Sequence, residues 1–212
     1  MSKNRVLPTV ERLARRSLAA REAEYADEIH RLLEAGLAVM ARCGTSSSPR
    51  VADIVAEAQV SNEAFYRHFA SKEDLVLAIA ESGAERLRSY VSHQMGKSTA
   101  APDQIRTWIR CVLAQALDPA VAEPTRAVMW NFASISDRTR SESRDVNSEI
   151  AELLVEPLTR ANSIDPGRDA RAIAGTVFTL LQQFLNGRDT PSAEDVKHII
   201  SYCLSGAGIT NQ

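Results

Sequence analysis

The sequence predicts an all-α chain, with an N-terminal three-helix helix-turn-helix domain followed by a larger C-terminal helical domain. Three observations lead there. Apolar residues recur at offsets of 0, 3, 4 and 7 in segment after segment, and no stretch alternates as a half-buried strand does. Short Pro, Gly and Ser/Asp clusters punctuate these segments at helix starts and stops. Between Ser48 and Leu75 three helix openings fall within 28 residues, so the first two helices are only about two turns long and the turn between them about four residues.

The chain opens on a basic arm, residues 1–21, in which Lys3, Arg5, Arg12, Arg15, Arg16 and Arg21 stand against Glu11 alone. Such a segment can neutralise phosphates or place an arginine in a minor groove. Its other reading is a solvated terminus. Pro8-Thr9 before Val10, Leu13, Ala14 and Leu18 makes part of it helical. From Arg21 the pattern firms, with Ile29, Leu32, Leu33, Gly36, Leu37 and Met40 on one face of a helix ending near Gly44. A TSSS loop at 45–48 follows.

Ser48-Pro49 reads as the next helix opening, a capping hydroxyl before a residue preorganised for the first helical position. Val51, Ile54, Val55 and Ala58 supply its apolar face. Ser61 can cap the second short helix, where Ala64, Phe65, His68 and Phe69 share helical spacing. Ser71 to Asp74 has the form of a capping box for a third helix, with an acid near the positive end of its dipole. Leu75, Ile79, Leu87, Tyr90 and Val91 carry that helix to about Met95, a connector with the domain boundary near its middle. The second of two such short helices is the one that enters a DNA major groove.

The run Ile54-Val55, Ala58, Val60-Ser61, Ala64-Phe65-Tyr66, His68-Phe69, Ser71-Lys72 and Leu75 resembles the DNA-binding domain of the tetracycline-repressor (TetR) family of bacterial regulators. The match covers roughly Glu22 to Gly83, and the remainder resembles the family in length and helical pattern. The resemblance implies a DNA-binding domain over 22–83, with the helix-turn-helix at about 49–69, and a regulatory and dimerisation domain over 84–212. It places Tyr66, His68 and Lys72 at phosphate contacts and Asn62, Glu63 and Ala64 on the groove-facing turn, with Ser48, Arg50, Ser61 and Arg67 completing the DNA-contacting set. It also implies a homodimer on a double-stranded DNA operator, released by a small hydrophobic or amphipathic effector. Two positions depart from the pattern. Gln59 stands where the family favours glycine in a left-handed turn, and a side chain there costs about 1 kcal/mol. Glu63 stands where a small residue is usual, so base preference is not transferable.

In the second half, Ile105, Trp108, Ile109, Val112, Leu113 and Ala116 form one helical face, and Pro119 and Pro124 delimit a new start. Val128, Met129, Phe132 and Ile135 lead into a polar loop at 136–145. Val146, Ile150, Leu153, Leu154, Leu158 and Ala161 come next, with Pro157 expected to kink that helix. After an Asp165-Pro166-Gly167 turn, two helices are expected at about 168–186 and 192–205. Their apolar residues cover so much of the circumference that a second copy is expected to bury Ile173, Val177, Leu180, Leu181, Phe184, Val196, Ile200 and Cys203 in a four-helix bundle, with burial inside one chain as the alternative. Trp108, Met129, Trp130, Phe132 and Phe178 are candidates for an effector pocket, with His93, Asn131 and Gln182 as polar partners, although such residues at helical spacing also suit a plain core.

Other classes find less support. No phosphate loop, nucleophile elbow or dinucleotide fingerprint is present, so an enzyme is the least favoured alternative. A ligand-independent DNA organiser of the same fold is the other. Cys43, Cys111 and Cys203 are scattered, as are the four histidines, giving no metal spacing and suiting reduced thiols in the cytoplasm. No metal or cofactor is expected. No apolar run approaches a membrane span, and MSKNRVLPTVERLARR lacks the apolar centre of a signal peptide.

Overall fold

The computed structural model describes residues 9–135, 146–187 and 191–209. Lys3 and Arg5 of the arm, and the polar loop at 136–145, lie outside them. Among the described residues the chain is helical, without strands.

Helix α1 runs unbroken from Thr9–Cys43, so the basic arm and the first helix of the head are one element. It stops at Gly44, whose φ of +58° is the left-handed turn expected there. Helix α2 (Val51–Ala58) begins later than Ser48-Pro49 suggests: Arg50 is its N-cap residue and makes no capping bond. The local signal loses because Ser48 bonds elsewhere, Pro49 is buried outside any helix, and Arg50 after it is extended. Gln59 then adopts φ 54°, ψ 42°, a left-handed residue carried by a side chain where glycine is cheaper.

Helix α3 (Asn62–His68) is capped by Ser61, whose Oγ accepts from the Ala64 amide at 3.0 Å. Helix α4 (Lys72–Met95) opens on the full capping box, Asp74 N–H to Ser71 Oγ and Ser71 N–H to Asp74 Oδ2. Gly36 lets α1 lie against α4, since a Cβ there would come within 2.7 Å of Ile79 Cδ1.

Helices α5 (Ala101–Leu117) and α6 (Pro119–Ala133) follow. Pro119 starts α6 behind the Asp118 cap, but Pro124 lies inside the helix and delimits nothing. The segment after the loop breaks into α7 (Val146–Glu152) and α8 (Val155–Arg160). The break at Leu153–Leu154 falls where the Pro157 ring would crowd the carbonyl four residues back. Helices α9 (Pro166–Asn186) and α10 (Ala193–Gly206) close the chain, α10 with a second capping box, Ser192 and Asp195.

Two apolar cores result. Leu32, Met40, Ile54, Phe65, Leu75 and Ile79 build that of the head, and Ala127 and Ile135 from the α6 region join it. The other is built on Val91, Trp108, Ile109, Leu154, Val177 and Ile200. Helix α4 feeds the first with Leu75, Val76 and Ile79 and the second with Val91 and Met95.

Candidate nucleic-acid interface and an adjoining cavity

Recognition of a groove requires a short helix held rigidly with one face free. Asn62, Glu63 and Arg67 are exposed on α3, as is Tyr66 at 58%. Offsets of 0, 1, 4 and 5 put these four on one side. Ala64 is not with them: it is 4% exposed and packs into the head, so the expectation that it faces the groove is corrected. Phe65 beside it is fully buried and anchors the helix.

His68 also turns inward. Its side chain is 7% exposed, its Nε2–H donates to Glu28 Oε2 at 2.7 Å, and its ring meets Tyr25 edge-on at 5.6 Å. An imidazole so held is not presented to a phosphate; it fastens α3 to α1. Arg67 joins the same lock, 3.4 Å from Glu28 and over the Tyr25 ring. The hydrogen bond from His68 holds the Glu28 carboxyl below its ordinary range, against partial desolvation and with help from Arg67, His68 and Arg31 charge. Arg31 in turn donates to the Ala58 carbonyl at the end of α2. Tyr25, Glu28 and Arg31 carry no motif, and their partners lie 27 to 43 residues away, so sequence spacing gave no sign of them.

Arg50 and Lys72 stand on either side of α3 along the chain. Arg50 is paired with Asp53 at 2.8 and 3.0 Å, which raises the guanidinium above its ordinary range first through that hydrogen bond and then through the Asp53 charge. Such solvent-exposed pairs are weak and can be exchanged for phosphate. Lys72 Nζ donates to Ser48 Oγ at 2.8 Å, and the Ser48 hydroxyl donates to Asn131 Oδ1 at 3.4 Å. Asn131 is 5% exposed on α6 and donates to the Ala127 carbonyl at 2.9 Å. A polar chain thus runs from the start of α4 to the last turn of α6.

Helix α6 is also a wall of a cavity of about 990 Å³. Met129, Phe132 and Phe178 line it, as does Gln182. Trp108 does not: it is fully buried in the regulatory core, where its Nε1–H donates to the Ile150 carbonyl at 2.9 Å and its ring meets Phe178 edge-on. Trp130 faces a separate recess with Thr45, Arg126 and Leu185. Neither His93 nor Asn131 lines the cavity. The opposite wall is α4, through Ala80, Gly83, Ala84, Leu87 and Tyr90, a face the sequence reading passed over. The run of small residues at helical spacing in a long helix was the available signal, since small side chains leave room beside them.

Helices α9 and α10 place the residues expected at a subunit interface differently. Ile173, Val177, Leu181, Ile200 and Cys203 are buried within the single chain's own core, whereas Leu180, Phe184 and Val196 pack at its edge. One chain covers the first five because α5 and the α7–α8 pair lie against α9, and α5 and α9 lie against α10. Burial raises the Cys203 thiol to about 11. The outward face of α9 holds Ala172, Gly175, Thr179 and Gln183. Among the described residues no helix is long and apolar enough to cross a membrane, and no cluster of His, Cys, Asp or Glu could hold a metal.

A helix-turn-helix head pinned to a helical body beside a cavity is the architecture of a DNA-binding regulator. Residues 32–79 match the family described as bacterial regulatory proteins, tetR family. Solved structures agree over most of the chain. A transcriptional regulator from Rhodococcus sp. Rha1 superposes with a TM-score of 0.67 at 21% identity, covering 86% of this chain and 99% of its own. The regulator FadR from Bacillus subtilis, in complex with stearoyl-CoA, gives 0.66 at 17% identity over 84% of this chain and 98% of its own. AibR, in complex with isovaleryl coenzyme A and operator DNA, gives 0.58 at 14% identity over 84% and 97%. No curated protein matches the chain in sequence. The head is a TetR-family DNA-binding domain, on a chain with the fold of that family's transcriptional regulators.

Proposed function

We propose that the protein is a cytoplasmic repressor that occupies a palindromic operator as a homodimer and leaves it when a small hydrophobic or amphipathic effector fills the cavity. The observation that carries this is the double membership of α4: it starts at Lys72, four residues past the end of α3, and its middle walls the cavity. An occupant that pushes α4 or α6 displaces the head, through α4 itself and through the Asn131–Ser48–Lys72 chain. Two heads must match half-sites about 34 Å apart or a multiple of it, so a modest tilt suffices to release them. The ligands of FadR and AibR make acyl-coenzyme A thioesters the first effector class to try.

In this reading Asn62 and Glu63 read bases, while Ser48, Arg50, Ser61, Tyr66, Arg67 and Lys72 position the backbone. The homodimer forms through α9 and α10, with Leu180, Phe184 and Val196 around the outward face of α9. A Cβ at Gly175 meets nothing within 4 Å in one chain, so Gly175→Glu is expected to spare the fold while placing a charge in the subunit interface. The test is selection of duplexes from a random library, followed by titration of acyl-coenzyme A thioesters into the complex. Enrichment of a two-fold symmetric site, lost in Gly175→Glu together with the dimer in light scattering, is the expected result. Enrichment of no sequence sinks the proposal.

A further inference from the structure

From Glu11 to Asp27 every residue of α1 is exposed, a stretch of about 25 Å at the helical rise. Nothing in the described chain supports it except at its end, where Tyr25 touches Arg67 and His68 of α3. The far end of the same helix is fixed on the regulatory side, with Val39 and Met40 in one cluster with Ala127 and Ile135. Helix α1 therefore runs from the regulatory body, past the recognition helix, and out beyond it. An isolated helix of this length is marginal in water, so it gains most of its order from whatever it lies against.

The charge on it indicates what that is. Arg12, Arg15 and Arg16, at offsets of 0, 3 and 4, share one face, and Arg21 lies one turn before Tyr25, nearest to α3. All four are exposed, none makes an ion pair among the described residues, and Glu11 is the one acid between Thr9 and Arg21. Duplex DNA offers one negative charge per about 1.7 Å of axis, a density that suits four guanidinium groups spaced over ten residues.

We infer that the N-terminal half of α1 is a second DNA-contacting element, a helical spur whose arginines take phosphates of the duplex flanking the site that α3 reads. This rests on the DNA-binding reading of the head and adds an interface outside the helix-turn-helix. Phosphate contacts carry no base information, so the spur strengthens binding to any sequence and steepens its salt dependence.

The experiment uses the full chain and duplexes of about 40 base pairs, selected and scrambled, titrated across a salt series. The triple variant Arg12→Ala, Arg15→Ala, Arg16→Ala keeps a strong helix former at each position, and circular dichroism verifies its helicity. The slope of log K against log salt is expected to shrink by about 0.9 per contact, up to about 2.7, on both duplexes alike, with affinity at low salt down at least about tenfold. The matching triple lysine variant is expected to restore the slope. An unchanged slope in the alanine variant overturns the inference, and so does a change of oligomeric state without loss of DNA affinity, which would make the spur a contact between copies of this chain. Wild-type protein that binds no duplex would instead overturn the reading of the head itself.

Discussion

The head and the regulatory half are both helical and both built on buried aliphatic residues, yet they are held by different means. In the head, seven- and eight-residue helices bury too little surface to fix their own rotation, and polar cross-links do it: His68 and Arg67 to Glu28, Arg31 to the Ala58 carbonyl, Arg42 to Glu57 at 2.7 Å. The regulatory half has polar cross-links too, from Arg126 to the Leu185 carbonyl and from Arg160 to the Thr99 carbonyl, but its longer helices meet over a continuous apolar core, where Trp108 is the largest fully buried side chain. The difference suits the two tasks. A reading helix needs fixed orientation at small expense in surface, and under the proposed function a body that adapts to an effector needs stability that does not depend on one alignment.

The largest effect that would test this contrast is in the body. Trp108→Ala removes a fully buried indole and leaves the Ile150 carbonyl with only the Leu153 amide at 3.3 Å as donor, and is expected to cost about 3–5 kcal/mol, seen as a lower midpoint in urea. A loss below about 1 kcal/mol would mean that the body does not rest on its apolar core. In the head the corresponding loss should appear in binding. Asn62→Ala is expected to cost about 1–3 kcal/mol on the selected duplex and little on a scrambled one, while Lys72→Ala weakens both alike. Competition binding separates the two, and the reverse pattern would show that α3 docks differently.

A smaller effect sharpens the comparison at the turn. Gln59 holds φ 54°, so Gln59→Gly is expected to stabilise the protein by up to about 1 kcal/mol. Calorimetry checks it, and a lowered melting temperature would mean that the glutamine side chain contributes to the turn. The smallest effect is the acid response of the lock between α1 and α3. The Glu28 carboxyl titrates below its ordinary 4.5 in the folded chain, so its contribution is complete above that pH and is lost as pH falls through the lowered folded value. Melts of wild type and Glu28→Gln between about pH 3 and 6 should converge at the acid end. Parallel curves would show that the His68 contact carries no linkage.

The sequence by itself determined what is local. The capping boxes at Ser71 and Ser192, the close of α1 at Gly44 and the extent of α4 all follow from residues within one or two turns of each other, whereas the left-handed turn at Gln59 was legible only through the family resemblance. Even the break before Pro157 was legible, because a proline ring acts on the carbonyl four residues earlier. Only the tertiary structure decided which way the short helices face. Ala64 and His68 lie on α3 as surely as Asn62 and Tyr66 do, but Glu28 and Tyr25, about forty residues upstream, turn His68 inward, and the close packing of the head buries Ala64. The same holds for the apolar residues of α9: their spacing marks Val177 and Leu181 as covered, but whether one chain or two cover them depends on where α5 and the α7–α8 pair come to rest. Periodicity records that a face is buried. The partner that buries it, and the space left between partners as a cavity, are set by contacts between segments whose separation along the chain leaves no regular trace in the sequence.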